Sequence, residues 1–184
     1  MNDPGRPLRA DARRNRERVL AAAQEAFAAE GLSVPLDEIA RRAGVGAGTV
    51  YRHFPTKEAL FGAAILDQME RMIGYARELA TADDPGRAFF EFLEHLVSGG
   101  TLKRDLAEAL GVENLRNTAP TRDLNAAVAE LLTRAQQSGA VRGDIEITDL
   151  MRVVKATFDA VHTAATPEQR DRTFAIIFDG LRAR

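Results

Sequence analysis

Six arginines within the first eighteen residues form the densest group of charged side chains in the chain. They are Arg6, Arg9, Arg13, Arg14, Arg16 and Arg18. Residues 1–60 contain ten Lys and Arg and eight Asp and Glu, which gives this part a net charge of +2. Residues 61–184 contain fifteen Lys and Arg and nineteen Asp and Glu, which gives the rest a net charge of −4. Clustered guanidinium groups attract phosphate even when the whole chain is slightly acidic. The predicted chemistry of this end is phosphate binding, and a solubilising tail is the alternative.

Catalytic and metal chemistry find little support in the sequence. The chain has no cysteine, which excludes disulfides, thiol catalysis and zinc–thiolate sites. Its three histidines, His53, His95 and His162, are not spaced as metal ligands. Neither G-x-S-x-G nor H-E-x-x-H occurs, and the glycines of residues 44–48 follow a helical pattern rather than a strand. We therefore expect a protein that is not an enzyme, with no metal and no cofactor.

Two short helices within residues 36–54, LDEIARRAGVGAGTVYRHF, are the elements that would position a phosphate-binding surface. A helix-turn-helix needs a small residue where its helices cross, a residue that tolerates positive φ at the turn, and a branched apolar residue facing back from the second helix. Ala40, Gly44 and Val50 meet these three needs at the required spacing. The pattern predicts a helix-turn-helix whose second helix, about residues 47–54, enters the major groove of DNA.

The segment GVGAGTVYRHFPTKEALF, preceded by LDEIARRA and by a long helix ending AFAAEG, resembles the DNA-binding domain of the tetracycline-repressor (TetR) family. The residues in register are Gly48, Thr49, Tyr51, Phe54 and Lys57. The resemblance covers about the first third of the chain, and beyond about residue 66 it rests on length and helical pattern. It implies a homodimer that binds a palindromic operator through its N-terminal domains and is usually released by a small molecule in the C-terminal domain.

The same resemblance implies roles for individual side chains of the motif. Thr49, Tyr51 and His53 would contact phosphates or bases, and Lys57 would bind a phosphate from the start of the next helix. Each residue of the second motif helix also has a structural alternative: Thr49 as a surface residue, Tyr51 packed on a neighbouring helix, and His53 as a helix cap.

The start of the second helix carries no side-chain hydrogen-bond donor, because residues 46–48 are Gly, Ala and Gly. Contacts from Ala47 and Gly48 are thus limited to backbone and apolar ones, and Ala47 can meet a thymine methyl group. We expect sequence specificity to depend on Arg52, on the six arginines of residues 6–18 and on DNA shape. Arg41 and Arg42 are interpreted as a solvated face rather than as DNA contacts.

The fold class predicted is all-α, with an N-terminal three-helix DNA-binding domain and a C-terminal helical ligand-binding and dimerisation domain. The predicted divisions are a flexible arm at 1–10, the helix-turn-helix domain at 11–56 and the helical domain at 57–184. Helices are expected at about residues 11–30, 55–82, 86–98, 102–110, 120–138, 148–165 and 167–182, besides the two of the motif. The helix within residues 55–82, with Thr56 as its N-cap, is expected to connect the DNA-binding head to the rest of the chain and to be on the order of 35 Å long.

The last two predicted helices carry apolar faces that either pack within one chain or form a four-helix bundle with a second copy, and we favour the homodimer. A mostly apolar pocket with a few polar groups is the expected ligand site, although plain core packing is the alternative for each phenylalanine. The residues predicted for it are Phe89, Phe92, His95, Asn114, Lys155, Phe158 and His162, and Phe90 belongs to the same aromatic group of its plausible lining.

Two functional hypotheses follow. The first is a dimeric DNA-binding transcriptional repressor released by an unknown small molecule. The second is a helical small-molecule-binding or interaction protein with a vestigial DNA-binding head, which the bare helix start and the acidic balance favour. No apolar run of about eighteen residues and no signal-like segment is found, so we expect a cytoplasmic protein without a membrane partner.

Overall fold

A computed structural model of the protein describes residues 5–99, 118–162, 164 and 166–183. Among these residues the chain forms α-helices and no β-strand, and an isolated bridge pairs Val141 with Arg182. The prediction of an all-α fold is confirmed. No helix in the described ranges is both long and apolar enough to span a membrane.

Eight α-helices are described, and a short 3₁₀ turn, Gly31–Ser33, follows the first of them. In chain order they are α1 Gly5–Glu30, α2 Leu36–Arg42, α3 Ala47–His53, α4 Lys57–Leu79, α5 Pro85–Gly99, α6 Ala119–Gln137, α7 Ile147–His162 and α8 Pro167–Leu181. The helix predicted at residues 102–110 lies outside the described residues.

Helix α1 begins at Gly5, so the structure extends it into the segment that the sequence predicted to be a flexible arm at residues 1–10. Pro7 is the third residue of this helix. Proline is tolerated there because the first N–H groups of a helix have no acceptor within it. The run of Pro and Gly that favoured an arm is therefore compatible with the first helical turn.

The chain divides into two compact units, with the boundary between Gln68 and Met69 inside α4. The sequence analysis placed the boundary before this helix. Leu60, Phe61 and Ala64 of α4 are instead buried in the core of the first unit, where the rings of Phe61 and Phe27 meet edge to face at 5.2 Å. Burying such a ring stabilises the unit by roughly 1.5–3 kcal/mol, which ties the first turns of α4 to α1.

The core of the second unit comes from the rest of α4 and from α5 to α8. Its fully buried side chains include Phe89, Phe92, Leu93, Leu131 and Leu150. Helix α6 ends close to the predicted residue 138: Gln137 is its last residue, Ser138 is its C-cap, and Gly139 follows with φ +75°. The chain then passes through Val141 and begins α7 at Ile147.

Candidate nucleic-acid interface

Helices α2 and α3 and the turn between them form the helix-turn-helix that the sequence predicted. Ala40 and Val50 are buried, and Gly44 adopts φ +63°. The N–H of Val45 donates to the carbonyl of Ala40 at 3.0 Å and that of Gly44 donates to Arg41 at 3.1 Å, which closes the end of α2. The predictions for Ala40, Gly44 and Val50 are confirmed. The turn needs glycine at position 44 because L-residues with a side chain rarely adopt this φ.

Helix α3 presents its polar side chains outward. Arg52 and His53 are exposed, Tyr51 is 47% exposed and Thr49 is half-buried. Val50 faces the core of the first unit, which fixes the rotation of α3 and leaves the hydroxyl, guanidinium and imidazole groups on the outside. The structure thus brings these four predicted residues onto one short helix. Guanidinium and hydroxyl groups in such positions bind phosphate oxygens and base edges.

The start of α3 has no side-chain cap. Gly46 is the N-cap residue, with φ −67° and ψ 141°, and makes no capping hydrogen bond. Ala47 is half-buried against the core of the first unit, whereas Gly48 is exposed. A Cβ added at Gly46 or Gly48 would meet nothing within 4 Å, so the fold does not require glycine at either position.

Tyr51 interacts with Asp37 of α2. The negative charge of Asp37, partial burial and a hydrogen bond to its carboxylate together raise the pKa of the Tyr51 hydroxyl. This carboxylate lies in the first turn of α2 and brings a negative charge beside the outward face of α3. Sequence analysis did not single out Asp37, because only the crossing of α2 and α3 brings it to Tyr51.

Lys57 opens α4, and its ammonium group donates to the carbonyl of Leu32 at 2.7 Å. The resemblance implied a phosphate contact for this lysine. In the structure one of its three N–H donors holds the 3₁₀ turn after α1 instead. Lys57 therefore positions the start of α4, and a phosphate would have to bind its other N–H groups.

Arg41 and Arg42 are held by carboxylates, in keeping with their interpretation as a solvated face. Arg41 binds Glu38 at 2.7 Å, and Arg42 binds Glu38 at 2.8 Å and Glu30 at 2.6 Å. Hydrogen bonds from the two guanidinium groups lower the pKa of Glu38 to about 2. Both arginine charges are thus largely compensated within the protein.

The predicted ligand residues that the structure describes lie in the second unit, some in its core and others on its surface. Phe89 and Phe92 are fully buried in its core and Phe158 is half-buried against it, whereas His95 and Lys155 are exposed. The ring of His95 lies 4.8 Å from that of Tyr75. Asn114 and the side chain of His162 lie outside the described residues.

An open groove of about 670 Å³ lies elsewhere on the second unit. It is lined by Asp84, Gly86, Arg87, Phe90, Glu91, Glu94, Ala140, Phe178 and Arg182. Of the residues predicted to line a ligand pocket, this set contains Phe90 alone. The rings of Phe90 and Phe178 are 5.5 Å apart, and the guanidinium carbon of Arg182 lies 4.5 Å above the centroid of Phe90. Tyr75 donates to Glu91 at 2.7 Å, which raises the pKa of Tyr75.

The sequence analysis named Phe89, Phe90 and Phe92 together because all three are aromatic. Helical geometry then separates them, since Phe89 and Phe92 face the core and the half-buried Phe90 reaches the groove. The pairing of Phe90 with Phe178 and Arg182 joins α5 to the end of α8. No local pattern indicates this contact.

Two short helices joined by a tight glycine turn, with a cationic and hydroxyl-bearing face on the second, define a helix-turn-helix protein. Residues 19–64 match the family described as "Bacterial regulatory proteins, tetR family". Residues 84–183 match "Transcriptional regulator SbtR-like, C-terminal domain". The chain belongs to the TetR family of transcriptional regulators.

Individual relatives agree with this assignment. A TetR transcription regulatory protein from Mycobacterium vanbaalenii has a crystal structure similar to this one, with a TM-score of 0.77 and 42% identity over 96% of this chain and 100% of that one. The TetR transcriptional regulator SCO0520 from Streptomyces coelicolor has a TM-score of 0.75 and 32% identity, covering 91% and 98%. The HTH-type transcriptional regulator UidR of Escherichia coli K12 is 29% identical over 96% of this chain and 93% of its own length.

Proposed function

We propose that this protein is a homodimeric repressor that binds a palindromic operator through α3 and is released by a small-molecule effector. The observation that carries the proposal is the outward face of α3, where Tyr51, Arg52 and His53 are exposed within the helix-turn-helix of a TetR-family chain. Such a face has the donors that a DNA major groove accepts.

The proposed contacts divide by chemistry. Thr49, Tyr51 and His53 bind phosphates or base edges, and Arg52 reads a base edge or a phosphate. Ala47 and Gly48 approach the DNA through backbone and methyl groups, and the open space at Gly48 is consistent with close approach of the duplex. Lys57 contributes a phosphate contact through the N–H groups that Leu32 does not occupy.

The proposed dimer uses α7 and α8. Ile176 on α8 is 74% exposed and Val153 on α7 is 36% exposed, so both helices offer apolar surface that a second copy would cover. Two copies of this helix pair would form a four-helix bundle with twofold symmetry. Twofold symmetry matches a palindrome, whose half-sites are read by recognition helices roughly 34–36 Å apart.

For the effector we propose the second unit as the binding region and its groove as the site to test first. A volume of about 670 Å³ is in the range of small-molecule sites, which is roughly 300–1,000 Å³. The paired rings of Phe90 and Phe178 give an apolar surface, and Arg87 and Arg182 give polar groups that would orient a ligand. An effector releases DNA only if it binds the DNA-free conformation more tightly than the DNA-bound one.

The test is selection of genomic DNA fragments by the purified full chain, followed by titration of the recovered duplex at two salt concentrations. We expect a palindrome, two chains per duplex, and affinity that falls steeply with salt. Arg52→Ala should weaken binding, whereas Arg41→Ala is a matched control because Glu38 already compensates that charge. Recovery of no sequence would overturn the repressor and favour the alternative, a ligand-binding protein with a vestigial head.

A further inference from the structure

The arginines of the first unit whose side chains the structure describes fall into two groups according to their acidic partners. Arg13 pairs with Glu17 at 3.5 Å, and Arg14 pairs with Asp11. Arg41 and Arg42 share Glu38, as described above. A guanidinium group beside a carboxylate has a neighbour that repels phosphate, so these four arginines offer little net attraction to DNA.

Arg16, Arg18 and Arg52 form the second group. Within the described ranges, none of the three has a carboxylate oxygen within 4.0 Å. All three side chains are exposed. Among the side chains of the first unit that the structure describes, these three guanidinium groups, two on α1 and one on α3, have no carboxylate partner.

Arg16 and Arg18 of α1 lie near opposite ends of α3. Arg18 donates to the carbonyl of Gly44 at 3.3 Å and to the side chain of Asn15 at 2.8 Å, which holds it at the turn before α3. The guanidinium carbon of Arg16 lies 6.0 Å from the ring centroid of Phe54, the residue that ends α3. The partners of both groups are neutral, so each keeps its full charge while its position is restricted.

We infer that Arg16 and Arg18 bind backbone phosphates of the duplex that receives α3, one near each end of this helix. Helix α3 has seven residues and is thus roughly 10 Å long, which is comparable to the major-groove width of roughly 12 Å. Charges at its two ends therefore face the phosphate walls of the groove that admits it. The two arginines set the register of α3 on the duplex without reading its sequence. This inference rests on the proposed DNA-binding function and names the residues of α1 that take part in it.

The test measures how the logarithm of the binding constant for the recovered duplex changes with the logarithm of salt concentration. Each lost phosphate contact lowers the steepness of that line by about 0.9. Arg16→Ala and Arg18→Ala should each lower it by about 0.9 per bound subunit. Arg13→Ala and Arg14→Ala are matched controls, since they remove the same charge from the same helix, and they should leave the steepness within error of the parent protein.

Loss of the Arg18 hydrogen bond to Gly44 could also loosen the turn, so unfolding of every variant is measured alongside. Arg18→Lys separates the two effects, because it keeps the charge and should keep the salt dependence. Equal salt dependence for Arg16→Ala, Arg18→Ala and the two controls would overturn the inference while leaving DNA binding intact. Absence of salt-dependent duplex binding by the parent protein would overturn the proposed function and this inference together.

Discussion

Gly86→Ala tests the packing that shapes the groove of the second unit. Gly86 is the second residue of α5 and is buried. A Cβ added there would lie 2.4 Å from the Cβ of Ala140 and 3.5 Å from Oδ1 of Asp84. Ordinary carbon–carbon contacts are about 3.5–4.0 Å, so the two methyl groups must separate by roughly 1 Å. Neither can rotate away, because a Cβ is fixed by its backbone, and α5 must move relative to the turn that carries Ala140.

We expect overpacking in Gly86→Ala to lower the free energy of unfolding by about 1–3 kcal/mol. This loss is offset in part by the gain of replacing glycine in a helix, about 0.5–1 kcal/mol. A net loss of about 1–2 kcal/mol corresponds to a fall in Tm of roughly 2–8 °C for a chain of this size. The assay is thermal and urea unfolding at one fixed protein concentration, since the proposed dimer would make Tm depend on concentration.

Two controls make this result specific. Gly74→Ala changes a helical glycine of α4 whose added Cβ meets nothing within 4 Å, so it should stabilise the protein by about 0.5–1 kcal/mol. The double variant Gly86→Ala/Ala140→Gly removes the opposing methyl group and should recover most of the loss, giving a coupling energy of about 0.5–3 kcal/mol. A Gly86→Ala protein at least as stable as the parent would refute the close approach of α5 to Ala140.

Three further predictions concern the first unit. Tyr51→Ala and Lys57→Ala should each weaken binding to the recovered duplex without changing the molecular mass of the protein in solution. Lys57→Ala should also lower the free energy of unfolding by about 1 kcal/mol because the hydrogen bond to Leu32 is lost. Unchanged DNA affinity in both variants would contradict the proposed site. Gly48→Ala should leave the free protein at least as stable as the parent, since the added Cβ meets nothing within 4 Å. It should weaken DNA binding in the same titration, because the methyl group would occupy space that the duplex needs. Equal DNA affinity would show that the backbone at Gly48 does not approach the duplex closely. The pKa of Glu38 is lowered from 4.5 to about 2, so its contribution to the free energy of unfolding is complete above pH 4.5 and declines as the pH falls toward 2. Glu38→Gln should therefore reduce the loss of unfolding free energy between pH 4.5 and pH 2. The same loss in the variant and in the parent protein would count against the Arg41 and Arg42 contacts.

The helix-turn-helix could be predicted because its requirements are local. Ala40, Gly44 and Val50 lie within eleven residues of one another, and each fills a position defined by helix geometry alone. The start of α4 could also be predicted, because an N-cap threonine acts within one helical turn. In the structure Thr56 accepts a hydrogen bond from the N–H of Ala59 at 3.1 Å, as an N-cap residue does. The start of α1 was misjudged because Pro and Gly are typical both of flexible arms and of first helical turns.

The sequence by itself determined the helical class, the motif and the family, because periodicity, caps and turn residues act over a few positions. Only the tertiary structure decided what the charged and aromatic side chains meet. Lys57 reaches Leu32 across 25 residues, and Arg18 reaches Gly44 across 26. Of three neighbouring phenylalanines only Phe90 lines the groove. Partners so far apart in sequence are chosen by the packing of helices, and helical periodicity specifies the face of a helix without specifying its neighbour.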